Sequence, residues 1–128
     1  MNGLHLIADV YDCRCDVALL THRERLETLC VQECREAGLT PLGAYFYQFR
    51  HDNGENAGVT GTVVLAESHL AIHTWPETGN VTLDVYVCNF SKNNSELARR
   101  VFRRVIETLN PMEVVSHSVV RGKIAPRE

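Results

Sequence analysis

The chain predicts an α+β two-layer sandwich, a mainly antiparallel β-sheet with two helices on one face. Three observations carry that expectation. Six runs of strand composition alternate with two helix-like segments in the order β-α-β-β-β-β-α-β. The consecutive strand runs are joined by links too short for crossovers, which makes their neighbours antiparallel. Two amphipathic helices suffice to cover one face of such a sheet.

The elements follow in order. "GLHLIADVY" (3–11) mixes β-branched and apolar residues with polar ones and reads as a strand. Thr21 followed by Glu24 has the spacing of a capping box, and Leu26, Leu29, Cys30 and Ala37 follow at helical intervals until Gly38 stops the helix. "LGAYFYQF" (42–49) returns to strand composition, and "RHDNGENAG" (50–58) is polar and rich in turn residues. "VTGTVVLA", "HLAIHTW" and "VTLDVYVC" are three further strands, parted only by Glu67-Ser68 and by "PETGN". Asn94 or Ser95 opens the second helix, whose Leu97, Val101, Phe102, Val105, Ile106 and Leu109 form an apolar stripe ending just before Pro111. "MEVVSHSVV" is the last strand.

The 128 residues, 45% hydrophobic and 23% charged, fit one domain, 1–128, with a core of useful size. A formal charge of −3 and a pI near 6.1 argue against nucleic acid or a membrane surface as partner, because both demand a dense positive patch. "RRVFRR" (99–104), the strongest basic cluster, falls on a helical pattern and reads as a solvated face. No apolar run reaches the roughly 18 residues of a membrane span, and the N-terminus lacks the order of a signal peptide. Five cysteines, an odd number without a secretory signal, predict reduced thiols and a cytoplasmic protein. Cys30 and Cys34, one helical turn apart, read as core packing.

The chemistry concentrates in "LAESHLAIHTWPETG" (65–79). Strand alternation puts His69, Ala71, His73 and Trp75 on one face and Ser68, Leu70, Ile72 and Thr74 on the other, with Asp84, Tyr86 and Cys88 sharing a face of the next strand. Ser68 therefore points away from His73 unless the chain is kinked or cut at Glu67-Ser68. A metal could use His69, His73 and Cys88, but no Cys-x-x-Cys pair supports one and no metal is expected. A serine hydrolase would need a Gly-x-Ser-x-Gly elbow, which is absent. Ordinary solvent-facing strand residues remain the plain alternative.

"ESHLAIHTWPE" followed by "LDVYVC" resembles the self-processing segment of the prokaryotic S-adenosylmethionine decarboxylases, small pyruvoyl-dependent enzymes of polyamine synthesis. "LHLIADVYDC", "EAGLTPLGAYFYQF" and "GVTGTVVLAESH" resemble the same family, so specific motifs cover about residues 4–90. The resemblance implies that Ser68 attacks the carbonyl before it and becomes a covalent pyruvoyl group that forms a Schiff base with substrate. Glu67 then ends a β chain (1–67) and the pyruvoyl begins an α chain (68–128). It further implies that His73 is the processing base, supported by Thr60 where the family usually has serine, and that Cys88 reprotonates the carbanion. Phe49 would stack on adenine and Glu77 would hold the ribose hydroxyls. The small-molecule substrate implied is S-adenosylmethionine, and family members of this size form homodimers of cleaved αβ protomers with the active sites between protomers.

The chain departs from the family in its longer loop 50–58, in Asn89 where glycine is usual after the cysteine, and in "TGN" after Glu77. The loop leaves open a pyruvoyl-dependent ornithine or arginine decarboxylase, with Asp52 and Glu55 available to a distal cation. An unprocessed regulatory homologue is the third possibility, and the intact Glu67, Ser68 and His73 set argues against it.

Overall fold

A computed structural model describes residues 2–90 and 92–122. Its elements are β1 (Asn2–Cys13), α1 (Ala18–Thr21), α2 (Arg23–Ala37), β2 (Pro41–Arg50), β3 (Asn56–Leu65), β4 (Ser68–Trp75), β5 (Asn80–Cys88), α3 (Ser95–Leu109) and β6 (Pro111–Gly122). The strands form one sheet in the order β2-β3-β4-β5-β1-β6, every adjacent pair antiparallel. The two-layer α+β expectation holds, and the described residues form three helices rather than two.

Alternation along the strands divides the sheet into a wet and a dry face. Leu4, Leu6, Ala8 and Val10 of β1, Leu70 and Ile72 of β4, and Val81, Leu83, Val85 and Val87 of β5 point inward and are buried. They meet Leu26, Cys30, Cys34 and Ala37 of α2 and Ala98, Val101, Val105 and Leu109 of α3; of the expected stripes, Leu29, Leu97, Phe102 and Ile106 are only partly buried at the edge of this contact, and Ala98 joins its centre. Each fully buried Leu or Ile contributes roughly 1.5–3 kcal/mol relative to exposure. Burial pushes the Cys34 thiol up to about 12 and the Cys30 thiol higher still, so both are packing groups. Arg99, Arg100, Arg103 and Arg104 face solvent, with Arg104 Nε 3.3 Å from Glu33 Oε1 of α2.

The capping box at Thr21 does not form. Thr21 closes the single turn of α1, where its Oγ1 donates to the Val17 carbonyl (3.1 Å), and His22 stands at the N-cap of α2 without a side-chain cap. The free N–H of Arg23 donates instead to Gln48 Oε1 (3.0 Å) on β2, so tertiary packing supplies what the local motif would have. The helix stops hold: Gly38 ends α2 at φ 102, and Asn110 ends α3 at φ 50.

The two glycines of "GVTG" are explained by close approach. A Cβ on Gly61 would lie 2.1 Å from the Phe46 ring, which packs across the glycine on the buried face. A Cβ on Gly58 would lie 2.4 Å from the Thr74 carbonyl oxygen. Thr60 thus sits between two points where neighbouring elements press onto β3.

Candidate active site

β4 is unbroken from Ser68 to Trp75, and this governs the placement of every candidate residue. Ser68 opens the strand, pairs with Leu65 and faces the buried side at 9% exposure. Ala66 and Glu67 form the two-residue link of the β3–β4 hairpin, and Glu67 has φ 65. That left-handed conformation costs a non-glycine residue of order 1–3 kcal/mol, placed at the bond before Ser68. The backbone N–H of Cys88, the last residue of β5, donates to Ser68 Oγ (3.3 Å). Ser68 and Glu67 thus meet the backbone of Cys88 at one end of the central strands, while alternation along β5 puts the Cys88 side chain on the open face with Asp84 and Tyr86.

A second group lies at the other end. Thr60 and His73 are direct cross-strand partners, with Thr60 Oγ1 3.0 Å from His73 Nδ1. Phe49, at the end of β2, is 49% exposed and meets Tyr47 edge-on at 4.9 Å between centroids. Phe49, Thr60, His73 and Glu77 line one cavity of about 520 Å³, along with Thr21, His51, Asn56, Trp75 and Pro76. Its volume is in the range of small-molecule sites. The buried Thr74 fixes its floor: Oγ1 accepts from the Val59 N–H (2.9 Å) and donates to the Leu20 carbonyl (2.8 Å).

The two groups do not meet within one chain. Five strand residues at roughly 3.4 Å each separate Ser68 from His73 by about 17 Å, and the two side chains leave opposite faces. Neither Asp52 nor Glu55 lines the cavity; Glu55 Oε1 instead accepts from Asn53 Nδ2 (3.2 Å) within the loop. The long loop brings His51 and Asn56 to the cavity, and Arg50 Nη1 braces it through Asn56 Oδ1 (2.6 Å).

One cluster is additional to the sequence candidates. On the open face Asp84 Oδ1 lies 3.1 Å from His5 Nε2 and 3.6 Å from His69 Nε2, and the Tyr86 ring is 5.7 Å from each imidazole. Among the described residues this is the one His/Cys/Asp/Glu group compact enough to share a metal ion, whereas His69, His73 and Cys88 do not gather. The His5–Asp84 contact is at hydrogen-bond distance, so the carboxylate is held by an imidazole as it stands. His5 and Asp84 are 79 residues apart, and only the β1–β5 register unites them.

Comparison with known proteins identifies the family. The family described as S-adenosylmethionine decarboxylase matches residues 4–122. An S-adenosylmethionine decarboxylase proenzyme of Picrophilus torridus is 38% identical over 94% of this chain and 84% of its own length. One of Thermoplasma volcanium is 36% identical over 98% and 88%. The crystal structure of the adenosylmethionine decarboxylase from Aquifex aeolicus superposes with a TM-score of 0.83 at 33% identity, covering 98% of this chain and 95% of that one. A family match over residues 4–122, relatives 36–38% identical over nearly the whole chain and a solved structure that superposes on 98% of it place this protein in the S-adenosylmethionine decarboxylase family.

Proposed function

We infer that the protein is a self-processing, pyruvoyl-dependent enzyme that decarboxylates S-adenosylmethionine, yielding the aminopropyl donor of polyamine synthesis. The observation that carries the reading is the gathering of Phe49, Thr60, His73 and Glu77 around one cavity. An aromatic face suits both adenine and the positive sulfonium, and a carboxylate accepts two ribose hydroxyl hydrogen bonds. The loop acids that a diamino-acid substrate would call on stand away from that cavity.

Processing converts Ser68. Its Oγ attacks the Glu67 carbonyl, the peptide N–C bond becomes an ester, loss of the Ser68 Cα proton expels Glu67 as a carboxylate, and hydrolysis of the remaining dehydroalanine releases ammonia. The residues present fit this chemistry: Ser68 Oγ is fixed by the Cys88 N–H, and the scissile bond follows a strained Glu67. His73, hydrogen-bonded to Thr60, serves as the base. The pyruvoyl group made from Ser68 supplies an electron sink for the carbanion left by departing carbon dioxide. Cys88 delivers the proton that completes the product.

A homodimer makes the site whole. Tyr45, Tyr47, Phe49, Val64, Trp75, Ile7, Val115 and Val119 are exposed large hydrophobics on the open side of the sheet, a patch suited to burial against a second copy. A two-fold axis between facing sheets, running across the strands, brings the Ser68 end of one protomer to the His73 end of the other. No helix among the described residues is long and apolar enough to cross a membrane, and the free thiols suit the reducing cytoplasm.

Intact-mass measurement and substrate trials test the reading together. The purified chain should appear as 1–67 and a blocked 68–128, and should release carbon dioxide from carboxyl-labelled S-adenosylmethionine but not from ornithine or arginine. A persistent full-length species rejects processing, and release from an amino acid alone rejects the substrate. Phe49→Ala should raise KM strongly.

A further inference from the structure

The link between β5 and α3 is polar, and its hydrogen bonds converge on Cys88. The Cys88 N–H donates to Ser68 Oγ (3.3 Å), and the Cys88 carbonyl accepts from Asn94 Nδ2 (3.0 Å). Asn94 is locked in turn, its own N–H donating to Asn89 Oδ1 (2.7 Å). Asn89 Nδ2 donates to Ser95 Oγ (3.1 Å), and the Asn89 N–H donates to the Asn2 carbonyl (2.8 Å) on β1. A glycine at position 89 could make neither of the two side-chain bonds.

Asn94 occupies the N-cap of α3, where an asparagine oxygen normally accepts an N–H from the first turn. Here it makes no such bond. The residue is 5% exposed, and its Oδ1 is buried with no hydrogen-bond partner among the described residues. The side chain has turned from the helix it should cap, leaving that oxygen without a protein partner among the described residues, and what it holds by doing so is the Cys88 carbonyl. Asn94 also lines a small cavity of about 180 Å³ with Ala66, Glu67 and Lys92, directly behind the scissile turn. A buried unsatisfied acceptor works against stability, and such costs gather where a function needs the geometry.

We propose that Asn94, braced by Asn89, is a positioning residue for Cys88: it pins the end of β5 so that the thiol meets the substrate carbanion at the carbon to be protonated. The inference rests on the reading of Cys88 as proton donor. Its chemical consequence is fidelity. With the thiol displaced, the proton goes to the enzyme-derived carbon in a larger share of turnovers; water then releases the substrate's carbon skeleton as an aldehyde, its nitrogen stays on the enzyme as an amino group, and the enzyme is dead.

The test measures kcat, KM and the number of turnovers before inactivation on processed protein with S-adenosylmethionine. Asn94→Ala should lower kcat and turnovers per inactivation about tenfold each, with KM within about twofold, as expected for a misaligned reacting group. Asn94→Asp should behave alike, since a carboxylate can cap α3 but cannot donate to the Cys88 carbonyl; it carries the test if the alanine variant does not fold. In a Cys88→Ala background, Asn94→Ala should add no further loss, because both act through one group. Unchanged turnovers per inactivation in both Asn94 variants, or a full additional loss in the Cys88→Ala background, overturns the proposal. Wild-type fidelity in Cys88→Ala alone would instead reject the role of Cys88.

Discussion

Co-expression of two crippled chains tests whether the active site is shared between protomers. Ser68→Ala lacks the attacking oxygen and His73→Ala lacks the base, so each alone should stay largely uncut. Ser68 and His73 stand about 17 Å apart along one strand and on opposite faces, a gap that no side-chain rotation spans. In a two-fold dimer with shared sites, a mixed pair has one wholly intact site, made of Ser68 from the His73→Ala chain and His73 from the Ser68→Ala chain. Random pairing of equal amounts puts about half of the His73→Ala chains in mixed dimers, so about half of them should be cleaved. Distinguishable tags and intact mass under denaturing conditions give the yield directly. Cleavage no greater than in separate expressions would refute the shared site and require the two groups to meet within one chain.

Gly61→Ala should destabilise the domain by about 1–3 kcal/mol in chemical denaturation, since the new methyl collides with the Phe46 ring, and adding Phe46→Leu should recover part of the loss. In a Ser68→Ala precursor, Glu67→Gly should raise stability by about 0.5–1 kcal/mol by relieving the left-handed φ of 65, and in the cleavable chain it should slow processing; a less stable precursor would refute the strain. Burial raises the Cys34 thiol to about 12 from an ordinary value near 9, and Cys30 in the same direction. Their contribution is present below the unfolded value and is lost as pH rises towards the folded one. Stability should therefore fall above about pH 9, and Cys34→Ala should flatten that slope even though it lowers stability at neutral pH. Alkylation of the native protein near neutral pH should spare Cys30 and Cys34 until denaturant is added.

The strands were legible because a one-sided sheet writes its burial into the chain as alternation, and β4 and β5 keep that pattern through Ser68–Trp75 and Asn80–Cys88. The α3 stripe was equally plain. The four-residue α1 was not, being too short to show a period, and the Thr21–Glu24 spacing misled because Gln48, a residue on another element, satisfies the start of α2. For the candidate site, the motifs name residues but carry no information on how those residues group in space. Register decides that Thr60 faces His73 and that His5 reaches Asp84, and register is a property of strand pairs. The orphaned oxygen of Asn94 had no signal at all, since an asparagine before a helix normally announces a cap.

The strand order β2-β3-β4-β5-β1-β6 has a consequence for what a cut between Glu67 and Ser68 leaves behind. The first fragment would own β1, β2 and β3, and the second β4, β5 and β6. These do not sit side by side as two halves: β1 is threaded between β5 and β6, bonded to both along nearly its whole length, while β3 remains zipped to β4. Fragments interlaced in this way cannot drift apart without opening three ladders and the core beneath them. After such a cut the peptide bond at the hairpin would be dispensable, because the interlaced strands and the core beneath them would hold the two pieces together.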